Sequence, residues 1–178
     1  MTPRHAFRVV VTVFCAVTLQ GTVLLDVRIG GVHPDVMVLL PVAAGLAGGP
    51  AQGATVGFWT GLVADLFLPT PFGLSALVGT LVGFGVGAST AALDRTVWWL
   101  PPLVALVGSA AYELAYPLLG TVLGQPQMLH VPIADIVVLV GVVNAVLAAP
   151  AVRVVAWALP EASTEGLPTS SSTVAGWR

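Results

Sequence analysis

Six apolar stretches, separated by short polar or proline- and glycine-containing breaks, fill the first 160 residues of this chain. They cover residues 9–25, 36–47, 51–68, 74–93, 97–123 and 133–157. A helix that spans a bilayer needs about 17 to 25 mostly apolar residues, and every stretch except the second reaches that length. The pattern therefore predicts six membrane-spanning helices, or five if the second stretch does not cross.

Charged residues are scarce along the whole chain, and this decides which solvent surrounds it. Of 178 residues, 8% are charged and 57% are hydrophobic, and the mean hydropathy is +0.98. An ordinary soluble domain carries about 25% charged residues, so this chain has too few to cover a water-facing surface. We therefore expect an all-α membrane protein folded as a bundle of six transmembrane helices.

Arginine placement predicts the orientation of these helices, because short cytoplasmic loops carry an excess of basic residues. With six spans and a cytoplasmic N-terminus, only Arg28 lies on the outer side. The inner side then holds Arg4, Arg8, Arg95, Arg153 and Arg178. If the second stretch were re-entrant, three of these five would move outside. We therefore expect both termini in the cytoplasm, a transmembrane domain over residues 1–160 and a disordered cytoplasmic tail over residues 161–178.

Small residues recur at every fourth position of two consecutive stretches. The third stretch has Gly53, Gly57, Gly61 and Asp65, and the fourth has Ser75, Gly79, Gly83, Gly87 and Ala91. This spacing puts each row on one helix face, and small faces let two membrane helices approach closely. We therefore expect Gly57 and Gly61 to pack against Gly79 and Gly83. The other interpretation is chance, because the chain contains 20 glycines.

Acidic residues gather in one half of the membrane in the six-span arrangement. The outer half holds Asp26, Asp35, Asp65, Glu113 and Asp135. Asp35 and Asp135 precede apolar stretches, where unpaired N–H groups and the helix dipole favour an anion. Asp65 lies near a C-terminal helix end, where the dipole opposes it, and Glu113 lies inside a stretch. Because such carboxyl groups usually face protein or water, we expect these two to mark an interaction site. Asp65 can accept a hydrogen bond from the turn at residues 69–73.

Signals for catalysis or ligand binding are weak. His5, His33 and His130 are scattered, and no HExxH or CxxC spacing is present. No glycine-rich loop follows a strand and no basic patch exists, which argues against phosphate-loop and nucleic-acid binding. The sequence therefore predicts no catalytic residue, no metal and no cofactor, and it leaves membrane lipid and other proteins as partners.

A segment of the N-terminal half resembles a known family. It begins with His33-Pro34-Asp35 and passes through an apolar and then a glycine-rich run. It continues with G-F-W-T-G-L-V-A-D-L-F from Gly57 and P-F-G-L-S-A-L from Pro71. The order Pro-Asp, Gly-x-x-x-Gly-x-x-x-Asp and Pro-x-Gly resembles MreD, the small membrane subunit of the bacterial rod-shape system, or elongasome. The resemblance makes Pro34, Asp35 and Gly73 further interaction candidates.

The resemblance implies a non-catalytic scaffold of the bacterial cytoplasmic membrane that acts in cell-shape maintenance and lateral peptidoglycan synthesis. Its expected partner is MreC, with the glycosyltransferase RodA, a class B transpeptidase and the MreB filament in the same assembly. The family fold is similar to the six-helix substrate-binding subunits of energy-coupling-factor vitamin transporters. That similarity gives an alternative, a small-solute binding subunit in which Tyr112, Glu113 and Tyr116 line an outer pocket. A membrane-embedded enzyme with Asp65 and Glu113 as paired acids is the third alternative.

Overall fold

The computed structural model describes residues 3–24, 33, 35–91, 93, 97–130 and 133–159. Over these residues the chain is helical and has no strand, which confirms the predicted all-α fold. The helices of this part are α1 (Pro3–Leu19), α2 (Leu39–Gly48), α3 (Pro50–Asp65), α4 (Leu74–Ser89), α5 (Leu100–Val122) and α6 (Ile133–Ala158). A π-helical turn, Gln20–Leu24, follows α1, and a 3₁₀ turn, Pro126–His130, lies between α5 and α6.

Several sequence-based predictions concern residues outside the described part of the chain. They are the motif residue Pro34, the charged residues Asp26, Arg28, Arg95 and Arg178, and the proposed tail at 161–178. For these positions the expectations from the sequence stay predictions.

Two helices of the described residues are long and apolar enough to cross a membrane. They are α5, with 23 residues, and α6, with 26. Only 28% and 22% of their most apolar windows are buried inside the protein, so most of each helix faces outward. The other four helices are shorter. Length and composition thus give two candidate spans, whereas the sequence pattern predicts six.

The shortest helix, α2, lies at the centre of the bundle. Its side chains Leu39, Val42 and Ala44 are fully buried, and it packs against α3, α4, α5 and α6. A helix that is apolar on every face is buried among other helices. The ten residues of α2 rise only about 15 Å, which suits a helix that meets protein along its length. The short second apolar stretch therefore forms the buried central helix of the bundle.

Large apolar side chains cover the outside of the bundle, whereas polar side chains lie inside. Phe14 and Trp98 are 70% and 84% exposed, and Asn144 is 0% exposed. In water, burying apolar surface stabilises a protein by about 25 cal/mol for each Å², and exposed apolar surface lacks that stabilisation. A lipid environment removes that disadvantage, so the distribution favours a membrane protein.

One arginine joins the start of α1 to the end of α6. The Arg8 guanidinium carbon lies 4.5 Å from the centroid of the Trp157 ring, and Arg8 Nη1 donates to the Trp157 carbonyl oxygen at 3.2 Å. This carbonyl is among the last four of α6, which have no partner within the helix. A cation there also complements the negative end of the helix dipole. Val13 and Ala16 of α1 continue the contact by packing in one cluster with Val155.

Candidate functional site

The most extensive helix contact in the described residues joins α3 and α4, which run antiparallel. Small residues meet across it in three pairs: Gly53 with Gly83, Gly57 with Gly79, and Gly61 with Ser75. A Cβ atom built on any of these glycines would lie within 3.0 Å of a backbone atom of the facing helix, a distance that real Cβ atoms essentially never show. The two backbones therefore touch, and only glycine fits at these positions. All four glycines of the predicted packing face lie in this interface.

The close packing also includes α2, which the two glycine rows did not indicate. A Cβ on Gly45 would lie 2.5 Å from the Gly83 carbonyl oxygen and 2.9 Å from the Gly87 nitrogen. A Cβ on Gly53 would also lie 2.8 Å from the Gly45 Cα. The backbones of α2, α3 and α4 thus meet at one junction. The sequence did contain one indication that α2 joins this contact: Gly45 lies eight residues before Gly53, at the start of the glycine-rich run.

Asp65, the last residue of α3, accepts three backbone hydrogen bonds from the start of α4. Its Oδ2 accepts from the Gly73 nitrogen at 2.9 Å and from the Ala76 nitrogen at 3.3 Å, and its Oδ1 accepts from the Ser75 nitrogen at 3.0 Å. These N–H groups belong to the first turn, where a helix leaves its donors unpaired. Gly73 is the N-cap residue of α4, has a φ of 95° and has no side chain to supply the cap. Asp65 therefore caps a helix to which it does not belong.

This geometry corrects the expectation that the helix dipole opposes a carboxylate at Asp65. That expectation considered only α3, whose C-terminal end carries partial negative charge. The carboxylate also faces the N-terminus of α4, whose partial positive charge stabilises an anion. The hydrogen bond that the sequence suggested with the 69–73 turn is present at Gly73, and two more come from inside α4.

A second group of polar residues connects the segment before α2 with α5 and α6. Asn144 Nδ2 donates to the Asp35 carbonyl oxygen at 3.0 Å and to Ser109 Oγ at 2.9 Å. Asn144 and Ser109 are fully buried, and Asn144 Oδ1 has no hydrogen-bond partner in the described part of the chain. Sequence reasoning missed this contact. Its only signal was a single asparagine inside the apolar stretch at 133–157.

Two tyrosines and Glu113 continue from Ser109 along one face of α5. Ser109, Tyr112, Glu113 and Tyr116 have the spacing of neighbours on a helix surface. The rings of Tyr112 and Tyr116 stack with 6.2 Å between their centroids and 11° between their planes. The Tyr116 hydroxyl lies 2.9 Å from Thr70 Oγ1, in the turn that joins α3 to α4. This face of α5 therefore reaches the end of the bundle where Asp65 caps α4.

Asp35 lies beside this face of α5. Both Tyr112 and Glu113 are within electrostatic range of its carboxylate. Asp35 Oδ1 accepts from the Met37 nitrogen at 2.9 Å, which caps the turn before α2, since the helix itself begins four residues after Asp35. Asp35, Tyr112, Glu113 and Tyr116 are all partly exposed. We call these four residues the acidic-aromatic cluster.

The other polar residues considered from the sequence lie outside these two arrangements. Asp135 is exposed in the first turn of α6, the position that favours an anion. His33 Nδ1 is buried and has no hydrogen-bond partner among the described residues. Within the described ranges, no group of three or more His, Cys, Asp and Glu side chains is placed to hold a metal ion.

The fold and these two sites define a class of protein: a helical bundle with two candidate membrane spans, an apolar outer surface and a small number of polar side chains buried in its interior. Comparison of the chain with known protein families, characterised proteins and solved structures finds no match in any of the three. The contacts of its own side chains are therefore the basis of the functional proposal.

Proposed function

We propose that this chain is a multi-pass protein of the bacterial cytoplasmic membrane and a non-catalytic scaffold of the MreD type. In this role it acts with MreC in cell-shape maintenance and lateral peptidoglycan synthesis, in one assembly with RodA, a class B transpeptidase and MreB. The proposal rests on one observation: the motif residues between 57 and 73 lie in the contact between α3 and α4. Their side chains and backbones hold α3 against α4.

Each motif residue in this region has a structural task. Gly57 and Gly61 let the α3 backbone touch α4, Gly73 provides the left-handed turn, and Asp65 caps the helix that follows. Close backbone packing and a satisfied buried carboxylate make a rigid helix pair. A rigid pair presents fixed outer faces to neighbouring membrane proteins, which is what a scaffold requires.

A small-solute binding subunit of an energy-coupling-factor transporter is the second candidate function, and the acidic-aromatic cluster favours it. Sites for small molecules combine aromatic walls with a few polar groups that fix orientation. The stacked rings of Tyr112 and Tyr116 and the carboxyl groups of Asp35 and Glu113 have that composition. In this candidate the motif residues keep their packing task, and the function resides on α5.

Depletion of the chain in its native host separates the two candidates. For a scaffold, rod-shaped cells are expected to become round, and a tagged chain is expected to capture an MreC-like protein with one membrane span. Microscopy of depleted cells and mass spectrometry of the captured proteins measure both results. Unchanged cell shape combined with impaired uptake of a solute would contradict the scaffold and support the solute-binding subunit.

Reporter fusions test the proposed topology. Alkaline phosphatase needs an oxidising compartment for its disulfides. A fusion after Arg178 is therefore expected to be inactive, and an insertion beside Gln125 is expected to be active. A fluorescent protein that folds in the cytoplasm is the matched reporter and should give the reverse pattern. An active phosphatase at the C-terminus would indicate an odd number of spans and contradict the six-span arrangement.

A further inference from the structure

The three arginines of the described residues lie at one end of the bundle, where α1 begins and α6 ends. Arg8 of α1 stacks on the ring of Trp157 in α6, with 4.5 Å between its guanidinium carbon and the ring centroid. Arg4 lies one turn before Arg8, and Arg153 lies one turn before Trp157, so each pair shares a helix face. The two helices run antiparallel, because later residues of α1 pack against earlier residues of α6. The arginines therefore follow one another over about 12 Å. We call these four residues the basic seam.

The positive charge of the basic seam is not balanced within the described part of the chain. None of its arginines forms an ion pair there. Asp135, in the first turn of α6, precedes Arg153 by eighteen residues, which is a rise of about 27 Å. Arg8 uses Nη1 for the Trp157 carbonyl oxygen, which leaves Nε and Nη2 available to a further acceptor. An anion from outside the described residues can therefore bind here.

The position of Arg153 inside a candidate membrane span narrows the choice of anion. Arg153 lies five residues before the end of α6, one turn deeper in this apolar helix than Trp157. Charged side chains are costly in the apolar layer, and long ones extend toward the head groups. Tryptophan is enriched at the boundary between lipid and water, so Trp157 marks that level. The exposed guanidinium of Arg153 thus lies within reach of lipid head groups.

An exposed apolar strip continues from Arg153 along the same face of α6. Pro150, Val146 and Val142 follow at spacings of three and four residues toward the start of the helix. Val146 and Val142 are 75% and 51% exposed. The face therefore presents positive charge near the helix end and apolar surface beyond it. A phospholipid has the same order of groups, a phosphate followed by acyl chains, whereas a soluble anion has only the charged part.

We propose that the basic seam binds an anionic phospholipid of the cytoplasmic leaflet, with its phosphate on Arg8 and Arg153. One acyl chain lies along Val146 and Val142, and Arg4 extends the positive surface toward water. The planar N–H groups of arginine match the oxygens of a phosphate, and basic pockets between membrane helices hold anionic head groups in this way. This binding goes beyond the scaffold role and is independent of it, because it requires only that the chain lies in a membrane.

Thermal unfolding of the purified full chain in detergent tests the proposal. The probes are phosphatidylglycerol, phosphatidylcholine with the same acyl chains, and glycerol 3-phosphate. We expect the melting temperature to rise with phosphatidylglycerol and not with the other two. An equal rise with phosphatidylcholine would show that acyl chains bind without the phosphate charge, and a rise with glycerol 3-phosphate would show a site for soluble phosphates. Either result, or no response to phosphatidylglycerol, would overturn the proposal.

Variants separate binding from structural effects. Arg153→Gln is expected to weaken phosphatidylglycerol binding about tenfold or more, because a charge-assisted hydrogen bond is lost. Without lipid this variant should be no less stable, since Arg153 makes no described bond. Asp135→Asn changes the net charge at the opposite end of α6 and should leave binding unchanged. Unaltered binding in Arg153→Gln, or a comparable change in Asp135→Asn, would show that the basic seam is not the site.

The acids that follow α6 in the sequence, Glu161 and Glu165, are the alternative anions for these arginines. A variant with both replaced by glutamine distinguishes them from a lipid. If the lipid balances the basic seam, phosphatidylglycerol binding is expected to be the same in this variant and in the wild type. Binding that occurs only in the variant would show that the chain's own acids occupy the arginines, and the lipid proposal would be wrong.

Discussion

Replacing Gly83 by alanine is expected to destabilise the protein, whereas the same replacement at Gly85 is expected to leave it as stable or more stable. Both residues lie in α4, two positions apart, so their helix propensities change equally. A Cβ on Gly83 would collide with the backbone of Gly53, whereas a Cβ on Gly85 would have no atom within 4 Å. The pair therefore isolates the α3–α4 contact from the intrinsic effect of the substitution.

The magnitudes follow from two opposing contributions. Overpacking typically costs about 1 to 3 kcal/mol, and the atoms facing Gly83 are backbone atoms that cannot rotate away. Alanine is also about 1 kcal/mol more favourable than glycine inside a helix. This gain offsets part of the loss at Gly83, and at Gly85 it is the whole effect. Since the facing backbone atoms put Gly83 at the upper end of the overpacking range, about 3 kcal/mol, we expect a net loss of about 2 kcal/mol for Gly83→Ala, or roughly 4 to 8 °C in melting temperature. Gly83→Leu should prevent accumulation of folded protein.

Thermal unfolding in detergent and the folded yield from membranes measure these effects. Gly57→Ala provides a second test from the opposite helix, because its Cβ would meet the Gly79 carbonyl. Equal stability of the Gly83 and Gly85 variants would mean that the two glycine rows face lipid, and the proposed scaffold would lose its central structural support.

Replacing Asp65 by leucine is expected to have the other large effect. Three backbone donors at the start of α4 would lose their acceptor, and those of Ser75 and Ala76 are buried. Each unsatisfied buried donor costs about 1 to 3 kcal/mol, so we expect a total loss of about 3 kcal/mol or more. The variant should therefore be poorly folded and should fail to support rod shape or to capture MreC.

The Asp65→Asn variant is expected to have a stability between those of the wild type and the leucine variant. If only one carboxylate oxygen accepted hydrogen bonds, asparagine would replace aspartate well. Both oxygens accept hydrogen bonds, so the asparagine NH₂ group would face an N–H donor instead of accepting from it. We expect a loss of about 1 to 2 kcal/mol and partial function. The order wild type, asparagine, leucine should hold for melting temperature and for partner capture.

Asp135→Asn is the matched control, because this exposed acid lies in the first turn of a helix, as the carboxylate of Asp65 faces one, but accepts no described hydrogen bond across helices. Its loss removes a dipole interaction of about 1 kcal/mol at most. One result for the Asp65 variants would contradict the capping role of Asp65. If Asp65→Asn lost rod shape as fully as Asp65→Leu while protein level and MreC capture stayed normal, the charge itself would be required. Asp65 would then serve proton-linked or ligand-binding chemistry.

The sequence determined the helices, their breaks and one packing face of this protein. Apolar length and proline or glycine breaks are local properties, so the ends of α2 at Gly48 and of α3 at Asp65 lie near the predicted breaks. The α3–α4 face was readable because spacing by four positions maps directly onto one side of a helix. The sequence also indicated which acids needed an explanation, because a carboxyl group is costly in an apolar layer.

Which groups these residues meet depends on the tertiary packing of the helices. Asp65 proved to face the N-terminus of α4, although its own helix ends there. Asn144 meets Asp35 across 109 positions of the sequence, and Arg8 meets Trp157 across 149. No local pattern encodes such partners, because they depend on how whole helices are placed around α2. Helix placement follows from the summed packing of all faces, whereas helix formation follows from the residues of each segment.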